Sequence, residues 1–322
     1  MRMNLHLLLC AVAILPLTMC QQYNNGLLPA GSLQAADPQA DALLNEAKAF
    51  VAAGELSKAK SKLKDIALNH SYAPCAPEAR LLLGEVYEKQ GLPRDAFDEY
   101  EKVVTRYQSS PLYTKALDRQ LSMAMAAAEG KLQVSVLGLW KAELESTAVE
   151  KWLASVITNA PYNDMAATAT SILARYRLRK ERYEEAAFTF AELVEKYPDS
   201  RYAPEAQLMV AQIWAASRTR GDQNMANLTR AQEAYEEFTL RFPGHADAGK
   251  ALTEASNVRR LLIQQELETG RYYLERAREY DSAIFCLENV IRQKSINPEA
   301  AREAETLLQK AGTLKANANR KS

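Results

Sequence analysis

The sequence is poor in the residues that mark several classes of protein. It has 12 glycines and 12 prolines in 322 residues, too few for a fibrous or low-complexity chain. Its 40 lysines and arginines balance 40 aspartates and glutamates, so the basic excess that phosphate binding requires is missing. We therefore expect no nucleic-acid partner. The 48% hydrophobic content excludes a largely disordered chain and indicates a folded globular protein.

Histidine and cysteine, the usual zinc ligands, are also scarce. The chain has 3 histidines and 4 cysteines, and no CxxC or HExxH spacing occurs. A glycine-rich phosphate-binding loop and the GxSxG motif of serine hydrolases are absent as well. Carboxylate pairs such as Glu184-Glu185 fall on helical faces, where solvation explains them. The sequence predicts no catalytic residue, no metal site and no cofactor.

The N-terminal residues 1–20, MRMNLHLLLCAVAILPLTMC, form a short apolar segment with Arg2 as its one formal charge. The uncharged core, 5–17, is shorter than the ~20 residues that a membrane-spanning helix needs, and it is typical of a signal peptide. Its end, Leu17-Thr18-Met19-Cys20, resembles a bacterial lipobox. That resemblance implies a lipid on Cys20, with an unacylated cysteine as the alternative. Residues 21–36 carry no charge and read as a flexible tether, and no later segment is apolar enough to predict a transmembrane helix.

From Asp37 onward, apolar residues recur at three- and four-residue spacing, which predicts an all-α fold. Residues 77–111 contain a pattern that recurs along the chain. Gly84 and Ala96 are small, as two closely crossing helices require, and Tyr87 and Tyr100 are large enough to fill the space around the crossing. This pattern resembles the tetratricopeptide (TPR) repeat, a helix hairpin with a period of ~34 residues. One hairpin cannot bury its second face alone, so the resemblance implies a stacked array.

The recurrence predicts a right-handed α-solenoid of about five to six hairpins over 37–296, followed by a capping helix and a basic tail at 297–322. An insertion at about 131–148 interrupts the third hairpin, and a polar loop at 218–227 separates the helices of the fifth. Cys75 and Cys286 lie in distant repeats, so we expect them to be free and to serve as small buried hydrophobes.

In this kind of array the first helix of each hairpin lines the concave face, which binds extended or helical protein segments. If Pro77 is counted as position 1, the residues that face this groove occupy positions 2, 5, 9 and 12 of the repeat. The alternative is a plain solvated wall. The candidate groove residues for partner binding are Leu44, Lys48, Glu78, Leu81, Glu85 and Glu88.

The insertion supplies a further candidate, Trp140, in the apolar stretch 134–140. Exposed apolar patches are uncommon on soluble domains, so this stretch either folds back on the solenoid, which we favour, or docks a partner.

A lipobox, a polar tether and five or six TPR hairpins together resemble the BamD/ComL family, lipoproteins that assemble outer-membrane β-barrels. Residues 266–273, ELETGRYY, resemble that family's penultimate helix, with Tyr272 and Tyr273 as its aromatic pair. The chain departs from the family after Tyr280, where Phe285-Cys286 stands in place of a frequent arginine. The resemblance implies a lipid-anchored protein on the periplasmic face of the outer membrane. Its partners would be unfolded barrel proteins and a BamA-type insertase, the latter at the C-terminal repeats.

Two other functions fit parts of the sequence. A periplasmic TPR coordinator of the Tol–Pal system or of cell-wall processes would share the architecture. Such proteins usually carry a coiled coil before the repeats, and this chain shows no heptads there. A periplasmic enzyme with a TPR appendage would need a catalytic domain, and the repeats leave no residues for one.

Overall fold

The computed structural model describes residues 36–136, 140–217 and 225–319. Over these residues the fold is all-α, as predicted, and consists of successive helix hairpins followed by one long helix. The predicted lipidation site Cys20 and the tether lie outside the described residues. In chain order the helices are α1 (Pro38–Ala52), α2 (Leu56–Asn69), α3 (Ala76–Lys89), α4 (Pro93–Arg106), α5 (Tyr113–Ala128), α6 (Ser146–Asn159), α7 (Asp164–Arg179), α8 (Tyr183–Lys196), α9 (Ala203–Ala215), α10 (Met225–Arg241), α11 (Ala248–Tyr272), α12 (Tyr280–Arg292) and α13 (Pro298–Asn319).

Proline and side-chain caps fix several helix starts. Pro38, Pro77, Pro93 and Pro204 lie in the first turn of their helices, where the missing N–H would have no intrahelical acceptor. Asp37 caps α1 by accepting a hydrogen bond from the backbone N–H of Ala40 at 3.0 Å. Local sequence therefore sets where each hairpin begins.

The second hairpin, α3 and α4, is held by the close crossing that its small residues predicted. A Cβ added at Gly84 would lie 2.5 Å from the ring of Tyr100, a distance that packed atoms do not adopt. Tyr100 and Ala96 are fully buried at this crossing, so α3 and α4 meet with almost no space between them. The predicted roles of these residues are confirmed.

Neighbouring hairpins are joined by aromatic and polar contacts. Phe97 of α4 stacks on Trp152 of α6, with ring centroids 4.3 Å apart and planes 2° from parallel. The buried guanidinium of Arg80 donates to Glu99 of α4 at 2.8 Å and to the carbonyl of Ala67 in α2 at 2.6 Å. The hydrophobic core therefore runs from hairpin to hairpin along the array.

The insertion contains a short strand pair, which the sequence analysis did not predict. Strands β1 (Gln133–Val136) and β2 (Trp140–Glu143) pair antiparallel, with Gln133 opposite Glu143, and α6 begins at Ser146 inside the predicted insertion. The hairpin lies so close to the end of α5 that a Cβ at Gly130 would lie 2.9 Å from the Glu143 carboxylate. Leu132 and Val134 pack against the solenoid core. The side chains of 135–140, the rest of the predicted apolar stretch, lie outside the described residues, so whether this stretch folds back or docks a partner stays a prediction.

The C-terminal part of the chain contains the longest of the described helices. Helix α11 spans 25 residues and continues into a π-helical segment, Tyr273–Ala277, before α12. No described helix combines the length and the apolar character that crossing a membrane requires. Cys75 and Cys286 are free, as predicted, but each is partly exposed rather than buried.

The loop predicted at 218–227 is shorter than expected, because residues 225–227 already belong to α10. Its first part, 218–224, lies outside the described residues.

Candidate partner-binding site

Ion pairs join the first helices of successive hairpins, and each pair occupies the same place in the repeat. Lys48 of α1 binds Glu78 of α3 at 2.6 Å, and Glu85 of α3 binds Lys115 of α5 at 3.2 Å. In each pair the residues are thirty positions apart, so position 9 of one hairpin meets position 2 of the next. Arg175 of α7 binds Glu205 of α9 at 2.5 Å in the same register. We call the surface formed by α1, α3, α5, α7, α9 and α11 the A-helix face.

These pairs are exposed and contribute little to stability. The side chains of Lys48 and Glu78 retain 45% and 46% of their accessible surface, and exposed pairs typically contribute about 0–1 kcal/mol. They nevertheless neutralise the charges that the sequence assigned to the groove. A partner that binds Lys48, Glu78 or Glu85 must first break these ion pairs.

Leu44 and Leu81, the apolar groove candidates, are buried in the core at 4% and 3% exposure. Each packs under its helix rather than on the A-helix face, so neither offers surface to a partner in this conformation. Glu88 accepts hydrogen bonds from Arg119 of α5, at 2.8 Å, and from the hydroxyl of Tyr100. All six groove candidates are therefore buried or paired.

The register of ion pairs is interrupted at two junctions. Between α5 and α7 the equivalent residues are Ser122 and Thr168, both uncharged. Between α9 and α11 they are Gln212 and Lys250, so the cation meets a neutral amide. Within the described chain no carboxylate lies within 4.0 Å of the Lys250 ammonium. At its C-terminal end, the A-helix face therefore carries a lysine that has no ionic partner among the described residues.

A groove with a volume of about 470 Å³ lies at this open junction. We call it the α9/α11 groove. Its apolar lining comes from Leu208 and Met209 of α9 and from Ala251 of α11, and polar groups surround it. The polar lining residues are Glu205, Gln212, Tyr235, Asp247, Lys250 and Glu254.

Tyr235 enters this groove from α10 and is 5% exposed. Its hydroxyl has no hydrogen-bond partner within the residues that the structure describes. Burial, together with the nearby charge of Glu254, raises the pKa of Tyr235, so the phenol is neutral at physiological pH. The groove therefore holds a neutral hydroxyl beside a carboxylate.

A second groove, of about 450 Å³, lies between α8 and α10 on the side of the second helices. Phe188 of α8 is largely exposed there and meets the edge of Trp214 at 5.9 Å. The guanidinium of Arg230 lies 4.9 Å from the Trp214 ring, a cation–π contact. Sequence reasoning did not identify this surface, because Phe188 and Trp214 fit ordinary helical periodicity.

The remaining sequence candidates lie away from both grooves. Tyr272 ends α11 and is 59% exposed, whereas Tyr273 begins the π-helical segment and packs against the C-terminal core. Their rings meet edge to face at 5.9 Å. Trp140 lies at the start of β2, and its side chain is outside the described residues. The structure does not bring Tyr272, Tyr273 and the N-terminal candidates into one site.

Sequence reasoning missed Tyr235, Lys250 and Glu254. The sequence did contain a signal for the open junction. Oppositely charged residues lie thirty positions apart at three junctions, whereas position 9 of α9 is the neutral Gln212. Nothing in the sequence showed that Tyr235 would face the groove without a partner. Within the described residues, no three His, Cys, Asp or Glu side chains are placed to hold a metal ion together.

Comparison with known proteins agrees with this architecture. A family model described as a tetratricopeptide repeat matches residues 44–111, and a second model of the same description matches 172–200. No curated protein matches the sequence.

Solved structures with some likeness include a TPR repeat-containing protein from Cytophaga hutchinsonii, of which the C-terminal part was crystallised. It is 16% identical, with 82% of this chain and 87% of that chain covered and a TM-score of 0.35. A tetratricopeptide repeat protein from Parabacteroides merdae is 13% identical, with 85% of this chain and 99% of that chain covered and a TM-score of 0.33. A TPR protein from Thermus thermophilus is 15% identical, with 67% of this chain and 98% of that chain covered and a TM-score of 0.29. The family matches carry the assignment. The chain therefore contains tetratricopeptide repeats over 44–111 and 172–200, and proteins built of such repeats typically serve as non-enzymatic scaffolds for other proteins.

Proposed function

We propose that the chain is a lipid-anchored scaffold of β-barrel assembly on the periplasmic face of the outer membrane. It binds segments of unfolded barrel proteins on its A-helix face and a BamA-type insertase at its C-terminal hairpins. The observation that carries the scaffold role is the A-helix face itself, which displays charged side chains along successive hairpins and opens into the α9/α11 groove.

The anchor and the location are supported by the sequence of residues 1–20. An apolar segment that ends in Leu17-Thr18-Met19-Cys20 supplies the thiol that a diacylglycerol requires. An acyl anchor at Cys20, followed by the uncharged residues 21–36, would hold the repeats near a membrane surface while leaving the A-helix face accessible.

The insertase contact is supported by the aromatic surface of the C-terminal hairpin. Tyr272 of α11 is 59% exposed and Phe285 of α12 is 64% exposed, and large exposed aromatic rings are enriched at protein interfaces. Residues 266–273 also provide the resemblance to the penultimate helix of BamD/ComL proteins.

The test is affinity purification of the tagged chain from detergent-solubilised envelopes, with mass spectrometry of the proteins that accompany it. We expect a BamA-type barrel with its periplasmic domains. A Tyr272→Ala/Phe285→Ala double variant, which alters two exposed rings, should lose it. Recovery of Tol–Pal or wall-synthesis proteins without a barrel insertase would contradict the assembly role and favour the coordinator.

Lipidation has a separate test. Cys20→Ala should move the protein from the membrane pellet to the soluble fraction of lysed cells, because the thiol that carries the acyl chains is gone. Cys75→Ala is the matched control and should leave the protein in the pellet. Unchanged membrane association of the Cys20 variant would contradict the anchor.

A further inference from the structure

The α9/α11 groove contains a tyrosine hydroxyl that makes no hydrogen bond to the described residues. Tyr235 is 95% removed from solvent as a residue, yet its hydroxyl has no hydrogen-bond partner among the described residues. The hydroxyl is accessible from the groove, since it is not one of the fully buried side-chain atoms that lack a partner. A ligand group in the groove can therefore form a hydrogen bond with it.

The same groove carries a surplus of negative charge. Asp247 and Glu254 of α11 both line it, and within the described chain neither lies within 4.0 Å of a lysine or arginine nitrogen. The His245 imidazole lies 3.6 Å from the Asp247 carboxylate and carries a charge only when it is protonated. Glu205 is already neutralised by Arg175. With a neutral imidazole, the carboxylates of Asp247 and Glu254 exceed the exposed cation Lys250 by one negative charge.

The apolar lining fits the stem of a long cationic side chain. Leu208, Met209 and Ala251 line the groove beside the polar groups. Lysine and arginine lay their methylene groups along apolar surface while the charged end reaches polar partners. A volume of about 470 Å³ is ample for one such side chain with adjoining backbone.

We propose that the α9/α11 groove binds an extended protein segment through one arginine or lysine side chain. The cationic end lies between the carboxylates of Glu254 and Asp247 and donates to the hydroxyl of Tyr235, and the stem lies on Met209. Binding one cation neutralises the groove, which is why a cationic segment is favoured over an acidic or wholly apolar one. This proposal rests on the proposed function, because it names the kind of segment that the A-helix face holds.

Met209 provides a direct probe of the groove. The chain is labelled with [¹³C-methyl]methionine, and Met209→Leu identifies the Met209 signal by its loss. The labelled protein is titrated with the tripeptide acetyl-Leu-Arg-Leu-amide and with the same peptide carrying uncharged citrulline in place of arginine. We expect the arginine peptide to move the Met209 signal and to bind about tenfold more tightly than the citrulline peptide, as one charge-assisted contact predicts.

Variants separate the charge from the fold. Glu254→Gln keeps the side-chain shape and should weaken the arginine peptide about tenfold, and Tyr235→Phe keeps the ring and should weaken it severalfold. Glu236→Gln removes an exposed carboxylate on α10, next to Tyr235 in the chain but outside the groove, and should leave binding unchanged. Equal binding of the two peptides, or a Met209 signal that does not respond, would overturn the proposal.

The envelope purification distinguishes this failure from failure of the scaffold role. Glu254→Gln should reduce the recovery of barrel-protein segments while the insertase is still recovered. If this variant recovers everything that the wild-type chain recovers, the groove proposal is overturned and the scaffold stands. If the wild-type chain recovers no partner at all, the scaffold role is overturned.

Discussion

The junctions at the two ends of the A-helix face are built from the same repeat positions but differ in charge pairing. At the first junction Lys48 and Glu78 satisfy each other, and the apolar residues below them, Leu44 and Leu81, are buried. At the last, Lys250 meets the neutral Gln212, the helices leave a groove, and Tyr235 has no partner for its hydroxyl within the described residues.

The difference shows that the same repeat positions can either pair across a junction or leave charged groups without an ionic partner. Where position 9 and position 2 carry opposite charges, adjoining first helices complete each other and leave little for a partner. Where the pair is missing, polar groups remain available. Matched variants at the two ends of the array test this difference.

The buried residue at position 4 provides the strongest contrast. Arg80 pairs with Glu99 and donates to the Ala67 carbonyl, whereas the equivalent residue in α9 is the neutral Gln207, which donates to the Ala234 carbonyl at 3.1 Å. Arg80→Ala removes two buried hydrogen bonds and leaves the Glu99 carboxylate with Lys102, at 2.6 Å, as its remaining ionic partner, so it should lower the free energy of unfolding by about 2–3 kcal/mol. Gln207→Ala should cost about 1 kcal/mol. Urea unfolding followed by circular dichroism measures both, and equal losses would contradict the contrast.

Packing around Gly84, at the crossing of α3 and α4, should also be tighter than packing around Gly249 in α11. Gly84→Ala forces a methyl group against the Tyr100 ring and should lower the free energy of unfolding by about 1–3 kcal/mol. Gly249→Ala in the first turn of α11 is the matched control, because nothing lies within 4 Å of its added Cβ. That variant should be neutral or stabilise by up to about 1 kcal/mol through helix propensity. The melting temperatures of the two variants give the comparison, and equal melting temperatures would contradict the tight crossing of α3 and α4.

The smallest expected effect comes from closing the open junction. Gln212→Glu places a carboxylate at position 9, opposite Lys250 at position 2, and should stabilise the chain by less than about 1 kcal/mol at low salt. Gln212→Lys should destabilise it slightly by like-charge repulsion. Both differences should fade in 1 M salt, where screening is nearly complete. If the two variants melt at the same temperature in low salt, residues 212 and 250 do not face each other as the repeat register requires.

Much of the fold could be predicted from the sequence because periodicity and small residues are local signals. The spacing of apolar residues predicted the hairpins, and Gly84 with Ala96 predicted the crossing of α3 and α4. The β1–β2 hairpin could not be recognised, because an alternation as short as Gln133-Val134-Ser135-Val136 does not distinguish a strand from an apolar loop.

The site was harder to predict than the fold. Position 5 was assigned to the groove from the repeat pattern, yet Leu44 and Leu81 are buried, because how deeply a helix packs depends on its neighbours rather than on its own sequence. The open α9/α11 groove depends on the register between residues some forty positions apart, with a loop of irregular length between them. In the sequence, Tyr235 has the spacing of an ordinary core tyrosine. Only the structure shows that it lines the groove and that its hydroxyl has no hydrogen-bond partner among the described residues.

The most direct test of the central claim is photo-cross-linking in living cells. A photoreactive phenylalanine derivative is placed at Met209, in the α9/α11 groove, and in a second strain at Val51, at the first junction of the same face. The account predicts protein adducts from residue 209 that are absent from residue 51, and their loss when Glu254→Gln is added. Adducts at residue 51 with none at residue 209 would contradict it and would place partner binding at the N-terminal hairpins.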